Sequence, residues 1–162
     1  MGVLENKDLY IFDIDRTLIT SETEYGDLIW LKNMEPPFIN VDDNTIRDRN
    51  GATAYLHLGV REMLEHLSSQ EKQIGFLSAG ALLDVDYEKQ PSIILMKMLG
   101  IYDHFNSHKL LEYKTVKKEE HLEKFGECVF FDDAEHHIVP ALKLDNVVVV
   151  DRKSFADWRQ LF

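Results

Sequence analysis

Leu9-Tyr10-Ile11-Phe12 is an unbroken apolar run that stops at Asp13, and the pattern recurs along the chain. Residues 74–77 run apolar into Ser78, 129–131 into Asp132, and 147–150 into Asp151. Short continuous runs of this kind mark strands buried on both faces rather than strands with one wet side. Segments of helical spacing lie between them. Residues 59–69 carry Val60, Met63, Leu64 and Leu67 on one face. Pro91 opens a helix through Ile94, Leu95, Met98 and Leu99 that stops at Gly100. Residues 104–110 hold a short third strand, and Thr115 caps a helix through Leu122 and Phe125 that stops at Gly126. Phe155, Trp158 and Leu161 suit the apolar face of a closing helix. Strands alternating with helices predict an α/β fold with a mostly parallel sheet covered on both faces. Such sheets bind ligands outside the carboxyl ends of their strands, where Asp13, Ser78 and Asp132 fall.

The length of 162 residues suits a single domain over 1–162. A polar stretch from 20 to about 55 reads as irregular, and forms an insert, 20–58, before the first core helix. Its Asn50-Gly51 signals a type I′ hairpin turn. No apolar run approaches the roughly 18 residues of a membrane span, and no leader pattern opens the chain, so no membrane partner is expected. Gly2 begins only a faint lipidation match. The single cysteine, Cys128, excludes an internal disulfide. Together these point to a cytoplasmic protein, which we expect to be a monomer. The net charge of −11 repels nucleic acid. A site for phosphate esters on so acidic a chain has to assemble its own positive charge.

Asp13 and Asp15 are the sharpest feature. Two carboxylates two residues apart repel one another unless a cation or proton intervenes, and a hard divalent ion such as magnesium meets that need. One acid can ligate the metal and still present an oxygen as nucleophile. The other can protonate a leaving group and later activate water.

The segment Asp13-Ile14-Asp15-Arg16-Thr17 resembles the first motif, Asp-x-Asp-Gly-Thr, of the haloacid dehalogenase (HAD) superfamily, with Arg16 where glycine is usual. Ser78, in Phe76-Leu77-Ser78-Ala79-Gly80, matches its second motif, and Phe130-Phe131-Asp132-Asp133 its fourth. Further likeness is to the magnesium-dependent phosphatase-1 family: Pro36-Pro37-Phe38, Thr45-Ile46-Arg47-Asp48-Arg49-Asn50-Gly51, Leu58-Gly59-Val60, and Lys118 with His121. It spans residues 10–138. This resemblance implies a HAD-like, Rossmann-like three-layer sandwich with a minimal cap, a short β-loop beside an open site. It implies a magnesium-dependent phosphomonoester hydrolase that passes through an aspartyl phosphate and acts on phosphotyrosine or sugar phosphates, whether as small molecules or phosphoproteins. Asp13 is the implied nucleophile, Asp15 the acid and base, and Ser78 a phosphoryl contact. Asp13, Asp15, Asp132 and Asp133 are the implied metal set. Arg16, Ser78, Ala79 and Lys117 are expected to touch substrate. The motif lysine is open among Lys109, Lys114, Lys117 and Lys118; Lys118 is preferred, because Leu122 and Phe125 follow at four and seven residues and place it on the buried edge of its helix. Family members carry an aromatic residue at the position of Arg16, and a longer segment between the lysine and the Asp-Asp pair.

Other features weigh less. His136 and His137 follow the acids, but adjacent helical residues point apart and magnesium prefers oxygen. Arg47 and Arg49 share a hairpin face, which is as well suited to solvent as to substrate. Trp30 and Phe38 either border the pocket or pack the insert. Cys128 precedes a buried strand and reads as core. A phosphorylated receiver module uses similar groups in another order, with the lone aspartate after the acid pair and the lysine last. A dehalogenase has no use for Asp15, and a mutase needs a larger lid. The remaining alternative is a HAD scaffold that binds phosphate or metal without hydrolysis.

Overall fold

A computed structural model describes residues 7–113 and 117–162. Five parallel strands form the central sheet: β1 (Leu9–Phe12), β7 (Gln73–Ser78), β8 (Lys109–Leu111), β9 (Cys128–Asp132) and β10 (Val147–Asp151), in the order β10-β9-β1-β7-β8. Alternation along β1 explains the unbroken apolar run. Tyr10 and Phe12 enter one core with Phe76, Val129 and Phe131, whereas Leu9 and Ile11 enter a second with Leu77 and Phe130. Helices α1 (Val60–Ser69) and α2 (Pro91–Met98) contribute to the first core, and α3 (Lys118–Lys124) and α4 (Glu135–Ala141) to the second. Helices on both sides give the three layers expected. The Phe12 and Phe131 rings stack at 4.8 Å, and Trp158 packs against both.

The insert is more ordered than its polar composition indicates. Strands β2 (Ile19–Glu22), β3 (Leu28–Ile29), β4 (Ile39–Asp42), β5 (Thr45–Arg47) and β6 (Thr53–Leu56) form an antiparallel sheet, order β3-β2-β6-β5-β4. The alternation is carried by few residues: Ile46, Ala54 and Leu56 turn inward to the first core, while polar neighbours face water. The turn at Asn50-Gly51 is not type I′, because only Gly51, at φ +83°, has positive φ. The loop is a three-residue one. Asp48 N–H bonds Ala52 O and Gly51 N–H bonds Asp48 O, so glycine is needed only at the bulge position. The Asp48 carboxylate accepts from the N–H groups of Glu35, Asn50 and Ala52 and holds this corner together.

Two other expectations change. The closing helix is instead two 3₁₀ turns, Arg152–Ser154 and Trp158–Leu161, although Trp158 is fully buried as its spacing suggests. Thr115 lies outside the described residues, and α3 starts at Lys118. No described helix is long and apolar enough to cross a membrane.

Candidate active site

The chain leaves β1 for β7 and β8 on one side, then returns to β9 on the other, so the topological switch lies between β1 and β9. A cavity of about 510 Å³ opens there. Asp13, Asp15, Arg16, Ser78, Ala79, Lys118, Asp132 and Asp133 all line it. After β1 the side chains still alternate: Ile14 and Leu18 are fully buried in the core, which turns Asp13 and Asp15 to the cavity. Ile14 O accepts N–H bonds from Thr17, Leu18 and Ile19, closing the tight loop that follows.

Lys118 sits at the first position of α3 and is 1% exposed. Its Nζ donates to Asp13 Oδ1 at 2.9 Å and to Asp132 Oδ2 at 2.7 Å. Leu122, one turn on and fully buried, anchors the helix with this lysine inward. The other candidates lie elsewhere. Lys109 is exposed, with Nζ 5.0 Å from the Tyr102 ring centre. Lys117 is exposed and does not line the cavity. Lys114 falls outside the described residues.

The remaining oxygens are held in place. Thr17 Oγ1 donates to Asp13 Oδ2 at 3.0 Å, and Ala134 N–H to Asp132 Oδ1 at 2.9 Å. Leu31 N–H donates to Asp15 Oδ1 at 2.8 Å. Gly80 N–H donates to Ser78 Oγ at 3.1 Å, which leaves the serine proton free to point elsewhere. A methyl group on Gly80 would lie 3.1 Å from Asp15 Oδ2 and 3.2 Å from Ser78 Oγ, so a side chain here would press on both site residues.

Burial governs the ionisation. It pushes the Asp15 carboxyl up to about 7; the Leu31 N–H opposes this and the Asp13 charge adds to it. Burial, then Asp13, raises Asp132 to about 8 against the pull of Lys118. Asp133 rises to about 6, by burial and by the Asp13 carboxylate beside it. For Lys118, burial works to lower the pKa, but Asp13 and Asp132 outweigh it and keep the ammonium charged. Four carboxyl groups thus share one buried ammonium, and burial and mutual repulsion hold Asp15, Asp132 and Asp133 towards their neutral forms unless a further cation joins them.

Asp13, Asp132 and Asp133 each place an oxygen within 4.8 Å of the others. This all-oxygen donor set fits a hard divalent cation. Asp15 was expected in the same set, but its carboxylate stands outside this group, tied to the Leu31 amide. His136 and His137 do not point apart. Both line the cavity, with ring centres 4.0 Å apart, because the first turn of α4 faces it. Burial, then Lys118, lowers His137 to about 4, so it is a neutral neighbour.

Trp30 and Lys32 also line the cavity. Trp30 was weighed in the sequence; Lys32 carried no signal there, because its approach depends on how the insert folds back. Phe38 packs against the core, and Arg47 and Arg49 are exposed away from the cavity. Cys128 is buried and burial pushes its thiol up to about 11, which excludes an activated thiolate.

A family model described as acid phosphatase matches residues 6–152. Magnesium-dependent phosphatase 1 of Homo sapiens is 28% identical over 142 residues, covering 84% of this chain and 73% of that protein.

Proposed function

Because the chain belongs to the acid phosphatase family, we propose that this phosphatase is a magnesium-dependent phosphomonoester hydrolase that works through an aspartyl phosphate on Asp13. The observation that carries the reading is the buried Lys118 ammonium bonded to both Asp13 and Asp132. A charged group this deep is expensive unless it serves the anion beside it.

In the first step an Asp13 oxygen attacks phosphorus and the bond to the leaving oxygen breaks. Asp15, with its pKa near 7, gives its proton to that oxygen. In the second step Asp15 takes a proton from water, the water oxygen bonds phosphorus, and the acyl-phosphate bond breaks to release inorganic phosphate and restore Asp13. Lys118 and the Ser78 hydroxyl, with the Ala79 amide beside it, offset charge on the phosphoryl oxygens. Asp13, Asp132 and Asp133 would hold magnesium, which neutralises phosphate charge when bound. Thr17 keeps Asp13 oriented through its hydroxyl. Sugar phosphates and phosphotyrosine are the substrate classes that the sequence resemblance to the magnesium-dependent phosphatase-1 family implies.

Hydrolysis of p-nitrophenyl phosphate with and without magnesium, by the native chain and by Asp13→Asn, tests this. Magnesium-dependent release that vanishes in the variant is expected. Release that survives Asp13→Asn would place the nucleophile elsewhere.

A further inference from the structure

The mouth of the cavity carries two cations that stand outside the ion pairs of the carboxylate cluster, although the Arg16 charge still acts on Asp15. Arg16 and Lys32 both line it, and among the described residues neither joins an ion pair. On a chain of net charge −11, carboxylate partners are plentiful. The Arg16 guanidinium lies 4.2 Å from the centre of the Trp30 ring, and its buried Nε has no hydrogen-bond partner. Its backbone is at φ +63°, a conformation that disfavours any residue with a side chain. An arginine thus stands here at a cost in both backbone conformation and an unsatisfied N–H.

Lys32 comes from the insert. It follows Leu31, whose side chain is fully buried and whose N–H is bonded to Asp15. Arg16 follows Asp15 directly in the chain. Both cations are thus tied to the residue assigned to protonate the leaving oxygen, whereas Lys118 is bound to Asp13 and Asp132.

We infer that Arg16 and Lys32 form a subsite for a second anion on the leaving group, so the preferred substrate is a small phosphomonoester whose alcohol part bears a carboxylate or another phosphate. The Trp30 face covered by Arg16 is closed to an aromatic leaving group, which makes aryl monoesters the poorer class. This narrows the phosphatase reading and rests on it.

Paired esters that differ only in the second anion test the subsite: phosphoglycolate against ethyl phosphate, and propanediol bisphosphate against propyl phosphate. The first pair reports a carboxylate, the second a phosphate. The ratio of kcat/KM within at least one pair should exceed about tenfold, the factor one charge-assisted contact supplies. It should fall towards one in Arg16→Met and in Lys32→Met, through KM rather than kcat. Calorimetric binding of the same pairs to Asp13→Asn, with magnesium present, reads the preference without turnover. If no ester is hydrolysed yet binding keeps the preference, the phosphatase reading fails and the subsite stands. Equal binding and equal turnover within both pairs, or ratios unmoved by both methionine variants, overturn the subsite while leaving hydrolysis intact.

Discussion

The amide of Leu31 donates to Asp15 Oδ1 at 2.8 Å, so the insert, not the central sheet, holds the carboxylate proposed as acid and base. Leu31 itself is fully buried and belongs to the same core as Phe12 and Phe76. Packing of the insert and placement of Asp15 are therefore one event.

Leu31→Pro and Leu31→Val separate the two contributions. Trp30 has ψ 147°, which a following proline accepts, and Leu31 opens its 3₁₀ turn, where proline is tolerated. Both variants leave three side-chain carbons in place of four, but only proline removes the N–H. We expect similar losses in urea midpoint, with kcat for p-nitrophenyl phosphate falling a further 10- to 100-fold, roughly, in Leu31→Pro alone. Equal kcat in the two would mean that the hydrogen bond does not position Asp15.

Lys118→Met tests the buried ammonium. Removing it leaves Asp13 and Asp132 without their shared cation. Breaking a buried pair this way costs about 3–5 kcal/mol, and loss of a charge-stabilising donor lowers kcat by roughly 10²- to 10³-fold. In chelator the variant should unfold at markedly lower urea than the native chain. Magnesium should recover more stability in the variant than in the native protein, because the ion then offsets charge that lysine no longer does. An unchanged gap with and without magnesium would argue against a metal at these acids.

The strand ends were legible because each combines an apolar run with a polar stop, and one physical rule turns both features into a site. Asp13, Ser78 and Asp132 follow from that rule, and Lys118 from the burial of Leu122 one turn later. Lys32 and the Leu31 amide were not legible. Their positions depend on long-range folding of a polar insert whose strands bury at most three residues, and in β3 and β4 none. Nor did local pattern show that the Asp15 carboxylate is held by an amide sixteen residues on rather than within the close group of the other three acids. His136 and His137 misled for a related reason: helical geometry separates neighbours along a long helix, but the open first turn of α4 presents both to the cavity.

The backbone of Arg16 gives a stability prediction independent of catalysis. At φ +63° a β-carbon is strained, and glycine is not. Arg16→Gly and Arg16→Ala both lose the stacking on Trp30, so their difference isolates the backbone. The glycine variant should be the more stable of the two by about 1 kcal/mol, read from chemical denaturation. A more stable alanine variant would show that the turn relaxes to another conformation.

His57 joins the insert to the C-terminal segment, and its protonation should weaken that junction. Arg152 Nη2 lies 3.2 Å from His57 Nδ1, and His57 Nε2 lies 2.6 Å from Thr20 Oγ1. A guanidinium only donates, so Nδ1 accepts and Nε2 carries the hydrogen. Burial first, and the Arg152 charge second, lower His57 from 6.5 to about 4. Between those values the unfolded chain takes up a proton that the folded one refuses. Stability from this group is therefore complete above pH 6.5 and is lost as pH falls through about 4. His137 is lowered to about 4 as well and acts in the same window, so the comparison has to be with His57→Gln, which removes one titration and keeps the other. The native chain should lose about 1 kcal/mol more than His57→Gln between pH 7 and pH 5, a value reduced from the full shift because the ring is partly exposed. Parallel losses in the two proteins would mean that His57 does not titrate differently on folding.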